Sequence, residues 1–327
     1  MKRLALVFLM LVVGAFVFAG CGGDDDGGGE GNDSVDLTQS KDITIAVITH
    51  GEGDSFWAVA KKGAEQAGKD LGVTVKYSES NNDPQEQAQL IDSAVTEEVD
   101  GIAVSAPDPD AIRDSVKTAI DAGIPVITLN SGAEESASLG ATTHVGQTET
   151  IAGEGAGAKL KEAGASKIIC IIHEQGNVGL NQRCEGAKKG FGGEVENLQV
   201  AGISDVSTTL TEIQSKLEAD TSIDGVLSLN PDIAIAARDA VAGAGSEAKV
   251  GTFDLSGDVI KAIQDDEILF AVDQQQYLQG YLPVVFLMLD KTNLNTVGGG
   301  RAVLTGPGFV TKDNAAEIEK LAEAGTR

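Results

Sequence analysis

Short runs of β-branched and apolar residues alternate with amphipathic stretches along most of this chain, and that alternation limits its possible folds more than any other feature. The runs 43–49, 73–77, 101–105 and 125–129 have strand composition, and the stretches 56–71, 84–97 and 109–122 between them have helical spacing. A second series follows, with strands expected near 167–172, 195–201, 225–229, 249–253 and 268–272. Helices are expected near 148–163, 180–191, 207–219, 231–243 and 256–265. Strand, helix, strand in this order builds parallel sheets, because a parallel neighbour is reached only through a long crossover that a helix fills. Helix starts carry their own signals. Asp83-Pro84 with Glu86 supplies a cap, a proline at the first helical position and a capping-box acid, and Asp108-Pro109 repeats the first two. The expected architecture is α/β, with two doubly wound parallel-sheet lobes.

Composition narrows the function. With 24 Lys+Arg against 50 Asp+Glu the formal net charge is -26, and no stretch is locally basic, so nucleic acid is excluded as a partner. At the N-terminus Lys2 and Arg3 precede an apolar run from Leu4 to Phe18, which suits an export signal and is short for a membrane span. Ala19 and Gly20 before Cys21 look like a bacterial lipobox, with Phe18 where Leu is usual. Residues 1–20 therefore read as a signal peptide and Cys21 as the lipidation site, with simple secretion as the alternative. Residues 21–40 hold the lipidated Cys and a flexible, acidic, Gly-rich linker. This places the protein outside the cytoplasm, held to the outer face of the cytoplasmic membrane. The nearest other apolar run, 281–289, contains Pro283 and ends at Asp290.

In doubly wound sheets ligands sit at the carboxyl ends of the strands. That rule selects His50, Asp54, Phe56 and Trp57 after the first strand and Asn130-Ser131 after the fourth, then Arg183, Asn230, Asp254 and Gln274 in the second lobe. Carboxylates, amides, a guanidinium and aromatic faces match a sugar, whose hydroxyls both donate and accept and whose C–H face packs on rings.

Over 41–312 the sequence resembles the ribose-binding family of type I periplasmic solute-binding proteins, which deliver ligand to ABC importers. The segments carrying the resemblance are ITIAVITHGEGDSFW, DGIAVSAPD, GIPVITLNSG, NQRCEG, VLSLN, VGTFDLS and AVDQQQYLQGY, in that order. The resemblance implies the periplasmic binding protein type I fold. Its lobes would be 41–146 plus 275–303 and 147–274 plus 304–327, joined by a three-segment hinge near Gly146, Gln274 and Leu304. It implies an extracytoplasmic binding protein without enzymatic activity or cofactor, with the transmembrane permease subunits as partners, and a monomer suits a shuttle held by a lipid and a flexible linker. It makes the ten residues above the ligand shell. Where ribose binders carry Asp-Arg after the fourth strand this chain has Asn130-Ser131, and Val206 stands where a second-lobe aromatic would close over the ring. The implied ligand is an uncharged monosaccharide, sugar alcohol or modified pentose. A ligand-presenting sensor subunit for a membrane receptor is the alternative.

Position alone leaves other roles open. Asn230 before Pro231, and Asp54 or Ser55 before Phe56, also fit helix caps. Phe56 and Trp57 fit a core, Arg183 a solvated helix face, His50 a satisfied loop, and Gln274 lies in a run of three Gln. Cys170 and Cys184, at a strand end and on the next helix of an exported protein, are expected to form a disulfide, with two buried thiols as the alternative. GEGAG at 153–157 reads as close helix packing. No G-x-S-x-G elbow, Walker loop or strand-to-helix G-x-G-x-x-G occurs. His50, His144 and His173 lack the i, i+4 pairing of a metal site, and a sugar-responsive repressor would need a DNA-binding segment where the export signal stands.

Overall fold

The computed structural model describes residues 42–327. The signal peptide, Cys21 and the linker lie outside the described residues.

The first lobe runs β1 (Thr44–Thr49), α1 (Ser55–Leu71), β2 (Thr74–Glu79), α2 (Pro84–Thr96), β3 (Gly101–Ser105), α3 (Pro109–Asp121), β4 (Val126–Asn130) and β5 (His144–Gly146). The chain then builds α4 (Glu149–Glu162), β6 (Lys167–Ile172), α5 (Val178–Phe191), β7 (Glu194–Gln199) and α6 (Val206–Ala219). β8 (Gly225–Leu227), α7 (Pro231–Gly243), β9 (Lys249–Phe253), α8 (Gly257–Gln264) and β10 (Phe270–Asp273) follow. It returns to the first lobe for α9 (Gln276–Asn293) and β11 (Val303–Leu304), and finishes on the second with β12 (Gly308–Val310) and α10 (Ala315–Glu323).

Each lobe has a six-stranded sheet, in the orders β11-β5-β4-β3-β1-β2 and β12-β10-β9-β8-β6-β7. All pairings are parallel except β10 with β12. Central strands such as β3 and β4 are buried along their whole length, as they must be when helices cover both faces. One face of the first sheet packs against α1 and α9 through Phe56, Ala60, Val284 and Leu287, the other against α2 and α3 through Ile91, Ile112 and Val116. In the second lobe α4 and α5 cover one face, and α6, α7, α8 and α10 the other.

β5, β11, β12, α9 and α10 were not marked out in sequence, for physical reasons. Strands of two or three residues are too short to show a period. The buried face of α9 is Gln276, Gln279, Gly280, Pro283, Val284 and Leu287, helically spaced but half polar or small, so the apolar signal is missing, and Pro283 reads as a breaker. Leu304, placed at the third crossing in sequence, still pairs with Gly146 in the first sheet.

GEGAG does lie within α4 and packs tightly. A methyl group on Gly153 would overlap the carbonyl of Arg183, and one on Gly157 that of Ala187. From α5, Gly186 and Gly190 meet the carbonyls of Thr150 and Glu154 in the same way. The helices therefore meet backbone to backbone. Cys170 and Cys184 are joined in a disulfide that ties β6 to α5, with Cα atoms 5.9 Å apart.

Candidate functional site

The strand ends of the two lobes face each other, and all ten residues singled out in sequence line one cavity there. Thr49 ends β1 and the loop after it carries His50; Asp54 then caps α1, its carboxylate accepting the Trp57 N–H at 2.8 Å. Phe56 and Trp57, in the first turn of α1, are both almost fully buried, so they serve the core and the cavity wall together. The His50 and Phe56 rings meet Trp57 edge to face at 4.9 and 4.8 Å. Asn130 ends β4 and Asp254 follows β9, the corresponding place in the other lobe, and both have left-handed backbone, φ 58° and 69°. Asn and Asp are the non-glycine residues that tolerate this region best, and such backbone is held where surrounding structure over-determines it.

Arg183 is the cation of the shell. It is 4% exposed, which rules out the solvated-face reading. Its Nε and Nη2 donate to the two oxygens of Glu149 at 2.6 and 3.0 Å, and its guanidinium lies over the Phe253 ring, 4.6 Å from the centroid. Nη1 donates to the Leu229 carbonyl at 3.3 Å and lies 3.9 Å from Asp254. A planar fork held this way keeps one edge for Glu149 and offers the other to the cavity.

Asp254 lies between Arg183 and Gln274, whose Nε2 donates to it at 2.8 Å. Burial pushes its carboxyl up to about 7, and the nearby guanidinium offsets only part of that rise. Asp54 also rises to about 7, again through burial, despite the Trp57 N–H and the Asn230 amide. Gln274 is the one of the three glutamines that faces the cavity. Its Oε1 accepts from Gln279 of α9 at 2.9 Å, and Gln279 in turn accepts from Asn130. This amide chain crosses from one lobe to the other at the floor of the cleft.

Other pairs cross higher up. Asn230, whose Oδ1 caps α7, donates through Nδ2 to Asp54 at 2.9 Å, so it is both a cap and a cavity residue. Ser131 donates to Asn177 at 3.2 Å. Ser55 gives its hydroxyl and its N–H to Asp232 at 2.6 and 3.2 Å. The cavity measures about 30 Å³ in this closed arrangement, room for roughly two waters.

Sequence reasoning missed Glu149, His173, Glu174 and Asn177. Glu174 stands 3.4 Å from His50 Nε2 and accepts from Asn177 Nδ2 at 2.6 Å. Burial alone would raise its carboxyl, but His50, His173 and the Asn177 amide together hold it down at about 2. His173, on the other side of Glu174, is driven toward its neutral form by burial. HEQGN follows β6, so the strand-end rule could have found these residues. Glu149 carried no such signal, because it opens a helix and reads as a first-turn acid. Among the described residues no cluster of His, Cys, Asp or Glu is arranged to hold a metal, and no helix is long and apolar enough to cross a membrane.

A family model for the periplasmic binding protein domain matches residues 45–289. The chain belongs to the periplasmic binding protein family. Membership makes it an extracytoplasmic substrate-binding protein, and the two parallel-sheet lobes are those of the type I fold. It is similar to a ribose import binding protein of Bacillus subtilis, at 26% identity over 74% of this chain and 79% of the relative. A carbohydrate transporter from Acidothermus cellulolyticus, solved in complex with myo-inositol, is 44% identical. It covers 87% of this chain and 99% of its own length, with a TM-score of 0.85. An ABC transporter solute-binding protein from Burkholderia graminis, solved with D-arabinose, is 27% identical, covering 84% of this chain and 97% of its own, with a TM-score of 0.75.

Proposed function

We propose that this chain captures a neutral cyclic polyol of the inositol type, or a closely related monosaccharide, for an ABC importer, closing its two lobes over the ring. The observation that carries this reading is the shell itself. Its carboxylates, amides and single guanidinium come from both lobes and pair with one another across the cleft in bonds that ring hydroxyls can take over. The 44% likeness to a protein solved with myo-inositol supports the ring class. An inositol offers hydroxyls around the whole ring and no ring oxygen or anomeric centre, which suits Asn130-Ser131 better than a charged pair would.

Ligand favours the closed form because only there are both halves of the shell within reach of the ring. The three chain crossings, after Gly146, after Asp273 and after Leu304, are the natural hinge, with the Asn130–Gln279–Gln274 amides beside it. The permease then distinguishes loaded from empty protein by shape. The chain acts as a monomer, tethered through a lipidated Cys21 and the Gly-rich segment after it. Cys21→Ala should move it from the membrane fraction to the soluble extracytoplasmic fraction, and an unchanged distribution would remove the anchor.

The test of the cargo is a thermal-shift screen against inositols, pentoses, hexoses and linear polyols, followed by calorimetric titration. A ligand present at 100 times its Kd adds about 2.7 kcal/mol of apparent stability. Stabilisation by myo-inositol or another neutral ring supports the reading. Stabilisation by nucleosides or amino acids alone overturns it.

A further inference from the structure

Directly outside the shell lies a second, larger chamber of about 700 Å³. It shares His50, Asp54, His173, Glu174 and Asn177 with the inner cavity, so these five side chains form the partition between the two spaces, which a substituent on a ring held inside would cross. Its volume falls in the range of small-molecule sites and greatly exceeds what a single hydroxyl or water channel needs.

The chemistry of the wall decides what could enter. The helices α1, α2 and α3 begin at this chamber, and helix N-termini ordinarily attract anions. Here those N-termini are already filled by the chain's own carboxylates. Asp54 accepts from Trp57, Asp83 from the Gln85 and Glu86 N–H groups, and Asp108 from Ala111. Glu52, Glu174 and Asp232 add to them, and among the described residues no Lys or Arg lines the chamber. An added phosphate would therefore meet repulsion. Asn81, Asn82 and Ser204 offer neutral donors and acceptors, and Ile203 and Val206 offer apolar surface for a C–H face. A valine at 206 also leaves the space that a larger side chain would fill.

We infer that this chamber is a second subsite, which accepts a neutral hydroxylated substituent on the bound ring, such as a second sugar in O-glycosidic linkage, and rejects phosphorylated forms of the same ring. This rests on the ring-binding reading above. The cargo would then extend to small glycosides.

Calorimetric titration of the full chain with myo-inositol, with an inositol carrying one O-linked hexosyl group, and with myo-inositol monophosphate tests it. The glycoside should bind at least as tightly as the free ring, and the phosphate at least 100-fold more weakly. Ser204→Trp, on the exposed rim of the chamber, should weaken the glycoside tenfold or more and leave the free ring unchanged, and Ile203→Trp should do the same if the first variant misfolds. A glycoside bound tenfold or more weakly than the ring, a phosphate bound as well as the ring, or a tryptophan variant that weakens both neutral ligands equally would overturn the subsite. Glycoside binding without ring binding would keep the subsite and overturn the reading of the inner shell. Binding of neither ring nor glycoside overturns both.

Discussion

The two lobes share one fold but bring unlike chemistry to the cleft. The first supplies the aromatic faces of Phe56 and Trp57, the neutral groups of Asn130 and Ser131 and one carboxylate, Asp54. The second supplies Glu149, Glu174, Asp254 and the cation Arg183. It also ties them with a disulfide from β6 to α5 beside Arg183, while helices in backbone contact occur in both lobes, α4 with α5 in the second and α1 with α9 in the first. The difference suggests a division of labour. A charged network must be held rigidly because a buried charge that loses its partner is costly. Neutral amides and rings can adjust at lower cost.

The largest test of this contrast is Glu149→Ala, which strands the buried Arg183 guanidinium. Stability should fall by about 3–5 kcal/mol in denaturant unfolding, and ring affinity should fall with it. Replacing both cysteines by serine should cost about 3 kcal/mol, the chain-entropy figure for a loop of roughly 15 residues, again read from unfolding midpoints. Gly153→Ala drives a methyl into the Arg183 carbonyl, and an overpacking loss of about 1–3 kcal/mol is expected in thermal unfolding. Ser131→Ala, in the first lobe, removes only neutral hydrogen bonds, to Asn130 and Asn177. It should change stability by about 1 kcal/mol and act mainly on affinity. If Ser131→Ala destabilised the protein as much as Glu149→Ala, the contrast between the lobes would be wrong.

A pH series sharpens the same comparison. Asp54 and Asp254 titrate near 7 in the folded protein against an ordinary 3.8. Between those values the folded state holds more protons than the unfolded chain, so stability falls as pH rises from about 4 to about 7 and levels off above. Glu174 works the other way, and its contribution is lost only as pH falls from its ordinary 4.5 toward 2. The melting temperature should therefore decline between pH 5 and pH 7.5, and Asp254→Asn should remove about half of that slope. A slope unchanged in the variant would show that Asp254 is not the titrating group.

How far the sequence carries the reader depends on signal length. Apart from β5, the alternation from Thr44 to Asp273 is legible because its helices repeat their period several times and its strands lie in longer stretches of strand composition, as three-residue β8 does within 225–229. The strand-end rule then places His50, Asp54, Asn130, Asp254 and Gln274 together without any knowledge of packing. β5 and β11 are invisible because two or three residues carry no period, and α9 hides behind Gln279, Gly280 and Pro283 on its buried face. Glu149 is missed for a different reason. Its partner lies 34 residues away on another helix, and only the contact between α4 and α5 brings the two together. Asn230 shows that two readings of one residue need not compete, since its Oδ1 caps α7 while its Nδ2 reaches Asp54.

The glycine seam between α4 and α5 has a consequence for how such a protein could change its diet. Four positions on two helices leave no room for an added carbon, and the wall they form carries Arg183. Drift at those four positions is closed off, because an added carbon meets backbone. Descendants that acquire new cargoes would have to do so through the loops of the first lobe and the rim around Val206. The ancestry of the arginine side would be written in what cannot vary, and the history of the ligand in what can.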